Sequence, residues 1–69
     1  MAYIGKEVLE KIKEVVKKMT ENTVSFEIDS MKFLVVRDGT KESAKESADR
    51  SLIIPPQNID GQQYLIFNT

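Results

Sequence analysis

The stretch TVSFEIDSMKFLVV, residues 23–36, alternates side chains in its first half: Val24, Phe26 and Ile28 stand between Thr23, Ser25 and Glu27. That period of two belongs to a strand with one buried face. With Asp29-Ser30 as a two-residue turn, Ile28 faces Met31, Phe26 faces Phe33 and Val24 faces Val35, so each apolar residue of the first strand meets another across a hairpin. Asp-Ser is a weaker turn signal than Asn-Gly or Asp-Gly, and a longer loop would shift this register.

Upstream of the hairpin, Ile4, Val8, Ile12, Val15, Val16 and Met19 recur at spacings of three and four, with Leu9 at the edge of their stripe. This predicts an amphipathic helix from about Gly5 to Thr20. Glu7 and Lys11, and Glu14 and Lys18, stand four apart in the favourable order, so the lysine-rich face neutralises itself. Asn22 is placed to close the helix in a left-handed conformation.

Downstream, SLIIP, residues 51–55, is a short β-rich run stopped by Pro55 and Pro56, which suit an edge or a strand end. Asn58, Asp60 and Gly61 mark a turn. QYLIFN, residues 63–68, is a last strand with Tyr64 and Ile66 on one face and Leu65 and Phe67 on the other. The elements predict one small α+β domain over residues 1–69, with the N-terminal helix across one face of an antiparallel sheet of about four strands. Strand order stays open.

Between the hairpin and SLIIP lies RDGTKESAKESADRS, residues 37–51, with no large apolar side chain. Lys41 and Lys45, Glu42 and Glu46, Ser43 and Ser47, and Ala44 and Ala48 repeat at four residues, which stacks each type on one stripe of a helix. Asp38-Gly39 makes a turn, Thr40 is an acceptable N-cap, and a short helix from about Lys41 to Asp49 follows. Helices under about 12 residues are marginal unless packed, so a frayed loop is the alternative.

The sheet's second face poses the main question. Leu34 and Val36 point there, and SLII and YLIF send apolar residues to both sides, a pattern that normally requires cover on both faces. Three covers are open. The polar segment and the PPQNIDG loop would fold over it, offering Ile59, Ala44 and Ala48; a second copy would pack on it, with Leu34, Val36, Ile53, Leu65 and Phe67 as interface candidates; or a different macromolecule would bind there. A chain of 69 residues buries only roughly 60% of its unfolded surface, which favours self-association, a dimer first.

Composition narrows the chemistry. The chain has no His and no Cys, which removes the usual general base near neutrality, the thiolate nucleophile and the common transition-metal ligands. Neither a disulfide nor an oxidising compartment is indicated, so a cytoplasmic protein is expected. Ten basic and eleven acidic residues give a net charge of −1 with signs interleaved, and no signal sequence or membrane span is expected. The three glycines are too far apart for a nucleotide-binding loop, and Asp29, Asp38 and Asp60 read as turn residues. No catalytic residue, metal or cofactor is expected, and the protein is not read as an enzyme.

The polar segment carries the remaining candidates. Arg37 and Arg50 are the only arginines and flank it, while Thr40, Lys41, Ser43 and Lys45 lie at or near the helix start. Three readings are open: a plain crossover connection, contact with a protein partner, or an anion site in which Arg37, Lys41 and Arg50 hold a small anionic ligand or nucleotide. The leading expectation is a non-enzymatic interaction module that self-associates and binds, inhibits or adapts another protein. A small-ligand or nucleotide-binding protein is the alternative, and nucleic-acid binding a weaker one, because the aromatics are spent on strand positions.

Overall fold

The structure is a computed structural model that describes residues 5–69. Its elements are α1 (Lys6–Lys18), β1 (Thr23–Ile28), β2 (Met31–Arg37), α2 (Lys41–Asp49), β3 (Gln57–Ile59) and β4 (Gln62–Asn68). The four strands form one antiparallel sheet in the order β1-β2-β4-β3, so the fold is α+β as the patterning predicts. β2 and β3 run parallel to each other with β4 between them, and α2 forms part of the crossover that connects them.

The hairpin register is the one the alternation predicts: Ile28 opposes Met31, Phe26 opposes Phe33 and Val24 opposes Val35. Asp29 and Ser30 both take positive φ, 50° and 69°, as a two-residue hairpin turn demands. Asp tolerates that region through local hydrogen bonding, whereas Ser has little to recommend it there. Ser30→Gly is therefore expected to stabilise the protein by about 1 kcal/mol, read as a higher urea midpoint with an unchanged slope.

One layer of core lies between α1 and the sheet. Ile12 and Val16 of α1 are buried against Ile28, Phe33, Val35, Ile59, Tyr64 and Ile66, with Val8, Met19, Val24, Phe26 and Met31 packed around them. The helix ends at Lys18, and its cap, Met19, is extended. Asn22 does not take the left-handed conformation expected of it, because the chain is already extended at Met19 and needs no αL residue to leave the helix. Ile4 of the expected stripe lies outside the described residues.

The third strand is not SLIIP. β3 is Gln57–Ile59, beyond the prolines, and SLII contributes a single bridge between Leu52 and Phe67 and a hydrogen bond from the Ile53 amide to the Ile66 carbonyl. Between bridge and strand, four residues, Ile53 to Pro56, oppose only Leu65 and Ile66. Pro55 and Pro56 have no amide hydrogen to donate, so the ladder breaks there, while Ile53 and Ile54 stay packed against the α1-layer core and the two prolines are exposed. Pairing resumes because Asp60-Gly61 is a second positive-φ hairpin turn, 54° and 86°, which puts Ile59 against Gln62; Asn58 Oδ1 accepts from the Gly61 amide at 3.2 Å.

Cover for the second face comes from the chain itself. Val36 and Phe67 are fully buried there and Leu65 is nearly so, with Leu34 half-buried beside them. α2, the helix not engaged in the α1 layer, packs against β2, and its one buried residue is Ser43. Ala44 and Ala48, expected to supply this contact, are exposed. A residue as small as Ser43 lets the helix backbone come close to the sheet, so the apolar bulk of this layer is supplied by the strands and not by the helix.

Candidate interaction surface

α2 starts on a reciprocal cap. Thr40 Oγ1 accepts from the Ser43 amide at 3.1 Å, Ser43 Oγ accepts from the Thr40 amide at 3.2 Å, and the two hydroxyls donate to the Arg37 and Thr40 carbonyls at 2.8 and 2.7 Å. The turn before it uses Gly39 at positive φ, with Asp38 Oδ1 accepting from the Gly39 amide at 2.9 Å. Thr40 and Ser43, expected near a ligand, are thus committed to the cap of the helix that packs against β2. Thr40→Ala is expected to lower stability by about 1 kcal/mol or slightly more in urea denaturation, with the loss concentrated in amide protection of α2.

The arginines are occupied and apart. Arg37 Nη1 donates to Asn22 Oδ1 at 3.3 Å, and Asn22 Nδ2 reaches Glu42 Oε1 at 3.5 Å, a relay tying the α1–β1 connection to the start of α2. Arg50 Nε donates to Glu46 Oε1 at 2.9 Å at the opposite end of the helix. Nine helical residues put roughly 13 Å of helix between the two arginines. Arg37, Lys41 and Arg50 therefore do not converge; Lys41 and Lys45 are exposed on the helix surface.

The dimer candidates fare unevenly. Val36, Leu65 and Phe67 are sealed within the chain, so only half-buried Leu34 retains accessible surface on that face, and Ile53, expected beside it, packs instead against the α1-layer core. Sequence reasoning placed the available surface on the sheet's second face because it looked for large apolar groups on the covering helix. What remains open is an edge.

That edge is β1. Because Ile28 and Met31 close a two-residue hairpin, hydrogen-bonded pairs fall at Ile28, Phe26 and Val24, and the pattern continues in the Arg37 amide donating to the Asn22 carbonyl at 2.8 Å. Thr23, Ser25 and Glu27 thus direct their backbone N–H and C=O groups away from β2. Among the described residues no segment pairs with them. Ser25 and Glu27 are exposed, and beside them a shallow depression of about 260 Å³ is lined by Ser25, Phe26, Glu27, Lys32, Phe33 and Thr69. Its volume falls below the roughly 300–1,000 Å³ of small-molecule pockets.

The two borders of the sheet are built differently. β3 is short and follows two prolines and a bulge, all devices that discourage further strands from adding. β1 has six residues without Pro, Gly or Lys, and Glu27 is its only charge. The alternation of residues 23–28 gives the strand and its buried face, and its composition, free of Pro, Gly and Lys, leaves the edge without the usual blocking residues. None of the described helices is long and apolar enough to cross a membrane. No known family model, curated protein or solved structure matches the chain.

Proposed function

We propose that the protein is a small non-enzymatic protein-interaction module whose working surface is the open edge of β1. The single observation that carries this reading is the asymmetry of the sheet: β3 is protected against strand addition and β1 is not. An edge with outward N–H and C=O groups at Thr23, Ser25 and Glu27 binds an extended segment through main-chain hydrogen bonds, and the adjoining depression receives alternate side chains of that segment. Such pairing sequesters or bridges the segment it captures, which is how an inhibitor or adaptor acts. The cysteine-free composition suits a reducing compartment such as the cytoplasm.

Ser25→Pro tests this. The Ser25 amide points outward, so proline removes a donor from the open edge while leaving the β1–β2 ladder whole. Tagged wild-type and Ser25→Pro chains, matched by circular dichroism, would be used as paired baits with cross-linking. A partner held by the wild type, lost by the variant and cross-linked within residues 23–27 is the expected result. A partner held equally by both would remove β1 as the binding surface.

A further inference from the structure

We infer that the extended segment best matched to the β1 edge is β1 of a second copy, paired antiparallel about a twofold axis at Ser25. This rests on the reading of β1 as the binding edge and names its occupant.

The register follows from geometry and charge. The residues that face outward are Thr23, Ser25 and Glu27, so an added strand must oppose outward-facing residue to outward-facing residue. With Ser25 on the axis, Ser25 meets its own copy and Thr23 meets Glu27, so all three outward residues of each strand exchange both hydrogen bonds. Moving the axis to Glu27 sets two carboxylates against each other. Moving it to Phe26 pairs Thr23 with Asp29, which lies in the turn at positive φ and cannot continue a strand. An axis at Val24 places Phe26 opposite Asn22, outside the strand. Only the Ser25 axis uses the full edge with like charges apart.

Side chains agree with that register. On the α1 face it puts Val24 opposite Phe26 in both directions, and both are only half-buried in the single chain, so each gains an apolar neighbour. On the other face Glu27 already lies across from Lys32 in its own hairpin and receives the uncharged Thr23 of the second copy. The product is a continuous eight-stranded sheet with a β3 border, protected by its prolines, at each end. Closure is built in: once β1 is paired, the sheet formed by the described residues has only its two β3 borders left, so a fibre does not propagate.

The test is the mass of the untagged chain by sedimentation equilibrium at concentrations up to the order of 100 µM, above the Kd expected of a small interface. A concentration-dependent mass rising to two chains is expected, and a single-chain mass throughout overturns the inference. Ser25→Pro should weaken the dimer at least about tenfold, since both Ser25 amides are lost by symmetry. Dimers that persist unweakened in Ser25→Pro overturn edge pairing. Thr23→Lys and Thr23→Glu keep the register testable even if proline disturbs folding. Lysine opposite Glu27 should tighten the dimer and glutamate should loosen it, the two Kd values differing by about tenfold or more and converging in high salt. Equal Kd values overturn the Ser25 register. A single-chain mass combined with loss of a heterologous partner in Ser25→Pro overturns only the second copy as occupant and leaves the binding edge in place.

Discussion

Phe33→Ala is expected to leave the protein largely unfolded under ordinary conditions. Phe33 is fully buried in the α1 layer, on the central strand β2, and pairs across the hairpin with Phe26 at a ring-centroid separation of 5.7 Å and an interplanar angle of 33°. Truncating a buried Phe costs about 3–5 kcal/mol, and loss of the aromatic pair falls within the upper part of that range. A chain of 69 residues has a total stability of roughly 3–10 kcal/mol, so one substitution removes most of it. Thermal unfolding by circular dichroism should show Tm lowered by about 15 °C or more, or no transition at all. A drop of only a few degrees would mean that α1 does not pack on this face.

Phe67→Ala should have an effect of the same size for a different reason. Phe67 is fully buried on the opposite face, with Val36, Leu65 and half-buried Leu34, under the side of the sheet that α2 covers. Its loss opens a cavity in the second layer and should lower stability by about 3–5 kcal/mol in urea denaturation. The decisive feature is that this loss appears in a single chain and does not depend on protein concentration. If Phe67 instead faced a second copy, its truncation would change the concentration dependence of Tm while leaving the isolated chain nearly unaltered. Substitution at Phe67 and at Ser25 therefore separates folding of the chain from association of chains.

How far the sequence foretold this depends on the element. Residues 23–36 specify their own register, since every apolar residue of β1 needs an apolar partner and one turn length provides them all. The second helix, Lys41–Asp49 after Thr40, follows from its cap and its spacing of four and has the bounds read from them. SLII misled because β-branched residues favour strands locally, while the two prolines behind them decide whether a ladder can continue, and here it breaks into one bridge and a bulge. The second face misled because cover was sought in large side chains, whereas α2 approaches through Ser43. The arginines were drawn together as a site because they flank one polar segment; once that segment is a helix, its length holds them apart.

β4 comes last in chain order among the described elements and yet lies inside the sheet, between β2 and β3. Each core layer takes its floor from it, Tyr64 and Ile66 for one and Leu65 and Phe67 for the other. During synthesis the β1–β2 hairpin can close as soon as it emerges, but neither layer is complete until β4, carrying β3 on its own hairpin, docks against β2. The cooperative step of folding is thus a late, non-local pairing, slow compared with helix or hairpin formation. A nascent chain stalled before Gln62 presents an amphipathic helix and a hairpin with both faces bare, the kind of surface that chaperones and proteases survey. Loss of β4 therefore removes one wall of both layers at once.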